Sequence, residues 1–149
     1  MMKSSRGFTL LEVIVVVAII GIMSAIAIPA INSWAPNYRL KSAARELYSN
    51  MQKAKGAAVK TNTTVTMTFT AGTGVPCEGG GYIFADANGN NIAEVTVDKG
   101  VCISSGGFPS GFSPTGTASG ATGTVSVSHV NLSKIYTLTQ TIAGALSLK

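Results

Sequence analysis

The sequence predicts an α+β fold in which a long N-terminal helix packs on an antiparallel β-sheet head. Residues 8–31 form a 24-residue run of mainly apolar side chains. Residues 32–62 repeat apolar residues at spacings of three and four, whereas residues 63–149 contain short runs in which apolar and polar residues alternate. The 149 residues suffice for one membrane helix and one small globular head, but not for two domains.

The first element, residues 8–31, is long enough to span a membrane. At about 1.5 Å per helical residue it reaches roughly 36 Å, whereas the hydrocarbon core is about 30 Å thick. A cleaved secretory signal is the alternative, but it has an apolar core of only about 7–15 residues before a small-x-small site, which "AIAIPA" matches loosely. Lys3 and Arg6 precede the run, so the positive-inside bias predicts a cytoplasmic N-terminus and an exported head.

One carboxylate, Glu12, lies inside this apolar run, and no basic residue of the run can pair with it. A charge inside a spanning helix costs about 2–4 kcal/mol and indicates a functional site whose partner must be identified. The alternative is that Glu12, near the start of the run, reaches the lipid headgroups. Physical arguments alone leave both interpretations open.

The second element, residues 32–62, is predicted to be an amphipathic helix that continues into the head. Its apolar stripe suits packing on a sheet and consists of Leu40, Ala44, Leu47, Met51, Ala54 and Ala58. Most basic residues of the chain flank this stripe, namely Arg39, Lys41, Arg45, Lys53, Lys55 and Lys60. A basic helix face can bind nucleic acid or anionic lipid, but we favour a solvated surface or a subunit contact.

The head is predicted to contain six or seven short strands. In "TTVTMTFT", Val65, Met67 and Phe69 alternate with threonines, which is typical of a strand with one buried face. Further strands are expected at 82–85, 92–97, 101–104, 124–130, 135–140 and 145–148. We expect "SSGGFPSGFSPTGTASGATG" to be an ordered but partly mobile loop that crosses between strands.

The cysteines, Cys77 and Cys102, are the only two in the chain. In an exported domain such a pair favours a disulfide, and two buried thiols are the alternative. The motif "DANGNN" has the oxygen spacing with which a calcium loop begins, but Val97 occupies the position of the bidentate glutamate. We therefore expect a hairpin turn at Asn88-Gly89, and no metal or cofactor.

Catalytic motifs are not apparent in the sequence. The single histidine, His129, lies in the strand-like "VSVSHVN", and no nucleophile motif, acid pair or phosphate-binding glycine loop accompanies it. We expect a strand residue at this position and no enzymatic activity.

The stretch "RGFTLLEV" resembles the processing site of type IV pilins and type II secretion pseudopilins. A short basic leader, residues 1–7, ends at Gly7, and Glu12 follows Phe8 by four positions. The resemblance implies that a prepilin peptidase cuts between Gly7 and Phe8 and methylates the new amine. It also implies that Glu12 pairs with the Phe8 amine of a neighbouring subunit. In the family, the helix around Gly21 and Pro29, where helix propensity is weakest, can loosen on assembly.

The stretch from Leu40 to Phe69, with the later "YIFADANGN" and "GFSPTG", resembles the minor pseudopilins and minor pilins of the GspH and FimT type. The resemblance implies a structural subunit, single-pass in the bacterial inner membrane with a periplasmic head, that enters a pilus or pseudopilus. Its implied partners are other subunits, the peptidase, an inner-membrane assembly platform and, before assembly, membrane lipid. DNA uptake is the alternative, but "KIYTLTQTIAGALSLK" lacks the arginine that DNA-binding members carry beside a glycine, so we expect DNA binding to be weak.

Overall fold

The computed structural model describes residues 8–74, 77–107, 111–120 and 122–149. One helix, α1 (Leu10–Thr61), is followed by eight strands. The strands are β1 (Val65–Thr70), β2 (Gly81–Ala85), β3 (Asn91–Thr96), β4 (Val101–Gly106), β5 (Gly111–Phe112), β6 (Gly123–His129), β7 (Ile135–Gln140) and β8 (Leu146–Leu148). The predicted α+β class and the helix-first order are confirmed.

The strands form two four-stranded sheets. Sheet I has the order β3-β2-β1-β5 and sheet II has the order β4-β6-β7-β8. Every pairing within them is antiparallel. The chain divides into two compact units, one ending at Ala35 and the other beginning at Pro36. The second unit contains both sheets and the C-terminal part of α1.

The predicted apolar stripe of α1 is confirmed, because all six of its residues are buried in the core of the second unit. The strands contribute alternate residues to the same core, including Val65, Phe84, Phe112, Val125 and Leu138. Burying each large side chain contributes about 1.5–3 kcal/mol. This packing fixes which side of the helix remains exposed.

The helix ends in a left-handed cap at Asn62, which has a φ of 52°. The amide of Thr63 donates to the carbonyl oxygen of Ala58 at 3.2 Å, which satisfies one of the last carbonyls of the helix. Asparagine tolerates this conformation better than most residues because its short polar side chain can form local hydrogen bonds. The cap reverses the chain into β1.

The segment that was expected to be an ordered but partly mobile loop contains the short strand β5, which the sequence did not predict. Phe112 pairs with Val65 of β1 and is fully buried. A Cβ on Gly111 would lie 1.9 Å from the Val65 carbonyl oxygen, so only glycine permits this approach. Two residues are too few to show an alternating pattern, which is why the sequence did not predict the strand.

The predicted hairpin turn between β2 and β3 is confirmed. Oδ1 of Asp86 accepts hydrogen bonds from the amides of Asn88 and Asn90 at 2.9 and 2.8 Å. Gly89 has a φ of 83°, which glycine adopts readily. The side-chain amide of Asn90 also donates to Oδ2 of Asp86 at 3.0 Å. This bond in the first place, and then the backbone bonds, lower the pKa of Asp86. The carboxylate therefore organises the turn.

The disulfide between Cys77 and Cys102 is present, with their Cα atoms 5.4 Å apart. Cys77 lies in the connection between β1 and β2 of sheet I, whereas Cys102 lies in β4 of sheet II. The amide of Gly100 also donates to the Cys77 carbonyl oxygen at 3.2 Å. The bridge therefore covalently joins segments that belong to different sheets.

Candidate functional sites: the helix N-terminus and the basic helix surface

The N-terminal part of α1 presents apolar side chains to its surroundings. Within the described chain, Leu10–Pro29 is long and apolar enough to cross a membrane, with a mean hydropathy of 2.8 and no buried residue. Phe8 and Leu10 are 80% and 78% exposed. A contiguous apolar surface of this extent indicates contact with lipid or with other apolar surfaces.

The first turn of α1 is capped by Thr9, a residue that the sequence analysis did not identify. Its hydroxyl oxygen accepts a hydrogen bond from the amide of Glu12 at 3.2 Å. Threonine at the cap and glutamate three residues later form the pattern of a capping box, which could have been found in the sequence. A carboxylate in the first turn also interacts favourably with the helix dipole.

Glu12 is exposed, and it has no basic partner in the described part of the chain. The ion pair observed among these residues joins Lys99 to Glu78 in the head. Phe8 is described and exposed, whereas Gly7 and the basic residues Lys3 and Arg6 lie outside the described residues. The pairing of Glu12 with the amine of Phe8 on a neighbouring subunit therefore stays a prediction.

The helix runs without interruption through Gly21 and Pro29, the two positions expected to loosen it. A Cβ on Gly21 would meet nothing within 4 Å, so packing does not require glycine there. Pro29 has no amide hydrogen and removes the helical bond to the carbonyl oxygen of Ala25. Pro36, which the sequence analysis did not consider, removes a second such bond, and loosening on assembly stays a prediction.

The six basic residues of the second helical segment fall into two groups. Lys53 donates to Oδ1 of Asn50 at 3.1 Å, and Lys55 donates to the Gly144 carbonyl oxygen at 2.9 Å. Lys55 is half-buried and bonds to the turn before β8, whereas Lys53 is itself exposed and bonds to a residue of its own helix. The other four are exposed on the surface, namely Arg39, Lys41, Arg45 and Lys60.

Three of the exposed cations lie beside two different shallow grooves. Lys41 and Arg45 line the first groove, together with Tyr38, Ser42 and Glu46. The second groove, with a volume of about 80 Å³, has Arg39 and Glu46 on the helix and Asp98 two residues after the end of β3. Glu46 lines both grooves. The second groove therefore has one cation and two carboxylates, whereas the first has two cations and one carboxylate.

The other residues considered in the sequence, His129 and the C-terminal lysines, lie in ordinary strand and surface positions. His129 is a buried residue of β6, as expected, and its Nδ1 accepts a hydrogen bond from the Asn131 amide at 3.2 Å. Within the described residues, no three histidine, cysteine or acidic side chains are grouped to hold a metal ion. In the C-terminal stretch, Lys134 lies over the ring of Tyr136, 4.8 Å from its centroid.

Comparison with known proteins connects both parts of the chain to secretion and pilus systems. Residues 2–28 match the prokaryotic N-terminal methylation motif, and residues 43–144 match the type II transport protein GspH. Two curated relatives, both described as a fimbrial protein of Pseudomonas aeruginosa, are 39% identical over 59 residues. That stretch covers 40% of this chain and 38% of each relative, and no solved structure matches the chain.

The matched segments agree with the geometry. The methylation motif coincides with the exposed apolar helix, and the second match begins within the buried stripe of α1 and extends to the turn before β8. A membrane-type helix followed by a helix packed on antiparallel sheets is the pilin-like arrangement expected from the sequence. The chain belongs to the GspH family of type II transport proteins, within the pilins and pseudopilins.

Proposed function

We propose that this protein is a minor structural subunit of a type II secretion pseudopilus or a type IV pilus. The observation that carries the proposal is the apolar segment Leu10–Pro29, which has no buried residue and coincides with the methylation motif matched over residues 2–28. Such a surface requires lipid before assembly and the apolar helices of other subunits afterwards. The head then supplies the surface by which neighbouring subunits are distinguished.

The proposed maturation begins in the inner membrane. Residues 1–7 form the leader, residues 8–31 span the bilayer with the N-terminus in the cytoplasm, and residues 32–62 continue into a periplasmic head that occupies 63–149. A prepilin peptidase cleaves between Gly7 and Phe8 and methylates the amine of Phe8. An inner-membrane platform then moves the subunit into the filament.

Assembly uses the charge of Glu12. In the filament, this carboxylate meets the positively charged Phe8 amine of a neighbouring subunit. A buried ion pair contributes little net stability, but an unmatched buried charge is costly, so the pair selects the register in which helices associate. Loosening at Gly21 and Pro29, where helix propensity is weakest, lets the helix adapt to its neighbours.

Substitution of Glu12 tests the assembly step. We expect Glu12→Ala to insert into the membrane normally, because the change removes a charge from an apolar helix. Recovery in sheared filaments should fall by about 100-fold or more, since leaving the neighbour's charge buried without a partner costs about 3–5 kcal/mol. Fractionation and blotting of sheared filaments measure both quantities.

The control is Glu46→Ala, which removes an exposed carboxylate from the same helix. This variant should enter filaments as the wild type does. Mass spectrometry of the mature N-terminus separates a processing defect from an assembly defect. Normal incorporation of a correctly processed Glu12→Ala protein would reject the pairing, and finding no filament that contains the wild-type chain would reject the proposed function.

A further inference from the structure

The turn between β2 and β3 contains Asn88-Gly89, the only Asn-Gly pair in the chain. Asparagine is a thermolabile residue, and it is most reactive before glycine, which has no side chain to hinder attack by its amide nitrogen on the preceding carboxamide. Both residues are exposed. Among the described residues, Asn88 is bonded through its backbone amide, whereas its carboxamide has no partner. The reactive group is therefore accessible.

The reaction of such a pair requires only water. The amide nitrogen of Gly89 loses its proton and attacks Cγ of Asn88, so that a new C–N bond closes a succinimide ring and the side-chain nitrogen leaves as ammonia. Water then opens the ring at either carbonyl carbon, which gives aspartate or isoaspartate at position 88. In isoaspartate the main chain passes through the side-chain methylene, so the backbone of the turn becomes longer.

In the folded turn, Asp86 holds the nitrogen that would attack. The amide of Gly89 donates to the carbonyl oxygen of Asp86 at 3.0 Å. On either side of it, the amides of Asn88 and Asn90 donate to Oδ1 of Asp86 at 2.9 and 2.8 Å. Three consecutive amides thus bond to one residue. Succinimide formation requires these bonds to break and the backbone of Asn88 to rotate, so the folded turn opposes the reaction.

The attachment of β3 depends on the same turn. β3 is an edge strand of sheet I and pairs only with β2. Its residues Ile92, Ala93 and Val95 pack against the core. The loop length fixes the register of a hairpin, and a new carboxylate at position 88 would repel that of Asp86. Modification would therefore hinder an opened hairpin from closing again.

We propose that Asn88-Gly89 is a deamidation site that Asp86 protects, and that the site reacts when the β2–β3 turn opens. Local opening costs less free energy than global unfolding. When opening and closing are fast compared with succinimide formation, the reaction rate follows the fraction of molecules that are open. Deamidation of Asn88 then records how often the hairpin has opened. This inference does not depend on the proposed function.

The test follows deamidation of the full chain in detergent micelles at neutral pH. Peptide mapping by mass spectrometry detects the conversion of an amide to an acid and separates Asn88 from Asn90 and Asn91. The reference is a synthetic peptide of residues 85–91, which keeps the local sequence but has no strands to hold the turn. We expect Asn88 to react at least about tenfold more slowly in the protein than in the peptide, because opening breaks several hydrogen bonds.

Three variants test the role of Asp86. Asp86→Ala removes the side-chain acceptor, whereas Asp86→Asn keeps a side-chain oxygen that can accept the same amides. The control, Asp98→Ala, removes an equal charge from an exposed residue beyond β3. We expect Asp86→Ala to deamidate about tenfold faster than the wild type, since hydrogen bonds to a charged group are lost. The rates of Asp86→Asn and Asp98→Ala should stay within about twofold of the wild type.

Equal rates in the wild-type protein and the peptide would overturn the proposal, as would an Asp86→Ala rate equal to that of the wild type. Equal acceleration by Asp98→Ala would show a net-charge effect and also overturn it. If Asp86→Asn reacted as fast as Asp86→Ala, the protection by hydrogen bonds would be wrong.

Urea unfolding shows whether each variant is folded. If Asp86→Ala does not fold, the wild type is followed in urea concentrations below its unfolding transition instead. Urea favours opened states because they expose more surface. The deamidation rate of Asn88 should therefore rise with urea while the chain stays folded, and a constant rate would overturn the proposal.

Discussion

Gly144 connects three distant parts of the chain in the turn before β8. Its φ is 73°, and a Cβ at this position would lie 1.9 Å from the carbonyl oxygen of Gly116. The carbonyl oxygen of Gly144 in turn accepts a hydrogen bond from Lys55 at 2.9 Å. The structure shows that this glycine is required for packing.

We expect Gly144→Ala to destabilise the protein well beyond the cost of its backbone conformation. Gly74 is the matched control, because it has the same φ of 73° and a Cβ there would meet nothing within 4 Å. Gly74→Ala should cost about 1–2 kcal/mol, and Gly144→Ala about 1–3 kcal/mol more, since it also forces two backbones apart. Urea unfolding of the detergent-solubilised chain measures both. Equal losses would contradict the packing argument.

Tyr82 carries a buried phenol in β2 of sheet I. Its phenol is buried and accepts a hydrogen bond from Nδ2 of Asn50 at 2.9 Å. Burial, and to a smaller extent the charge of Glu46, raises the pKa of Tyr82 to about 12, although the bond from Asn50 opposes the shift. The neutral phenol is therefore favoured in the folded state.

Stability should consequently depend on alkaline pH. The ordinary pKa of tyrosine is about 10, so the contribution of neutral Tyr82 is complete below pH 10 and lost as pH rises through about 12. Urea unfolding across this range should show a decline that is smaller in Tyr82→Phe. That variant should also lose about 1–3 kcal/mol at neutral pH, because Asn50 is left without its partner. Tyr48→Phe should keep the decline, and an unchanged decline in Tyr82→Phe would refute the assignment.

Among the elements, the disulfide joins the β1–β2 connection of sheet I to β4 of sheet II. Its residues are 25 positions apart, and on the chain-entropy account a loop of this size stabilises by about 3 kcal/mol. Because the two sheets share no strand, loss of the bridge should loosen their association more than either sheet.

The variant with Cys77→Ser and Cys102→Ser should therefore unfold at a lower urea concentration, with a loss of about 2–4 kcal/mol. Cys77→Ala with Cys102→Ala serves as a control for the polarity of the serines. Mass spectrometry with and without reductant should show one bridge in the wild type matured outside the cytoplasm. Two free thiols in that protein, or unchanged stability in both variants, would contradict this role.

Elements with a clear periodicity were predictable. The buried stripe of α1 and the alternation in β1 follow directly from side-chain spacing, and the β2–β3 turn follows from Asn88-Gly89. The strand β5 was not predictable, since its two residues form a strand only by pairing with Val65. The division into two sheets was also not visible, because period-two alternation identifies a buried face but not the neighbouring strand.

At the scale of the whole molecule, the N-terminal motif was readable because its chemistry depends on local sequence. Phe8 and Glu12 are four positions apart, so the motif can be recognised without knowing the fold. The Thr9 cap was not predicted, although its pattern is equally local. The exposure of the basic side chains of residues 32–62 could be predicted only in part. The sequence predicts six cations on one helix, but only the structure shows that Lys55 is half-buried and bonds to Gly144, whereas the other five are exposed.

The corner formed by Lys55, Gly116 and Gly144 has a consequence for the time course of folding. Lys55 and Gly144 are 89 positions apart, and closing so long a loop is costly and slow. The hairpin of β2 and β3 requires only nearby residues and can form while the chain is still being synthesised. The corner cannot form before Gly144 is available to Lys55. A head that folds during synthesis therefore remains incomplete until the last tenth of its sequence is available, and closure of this corner is a late step.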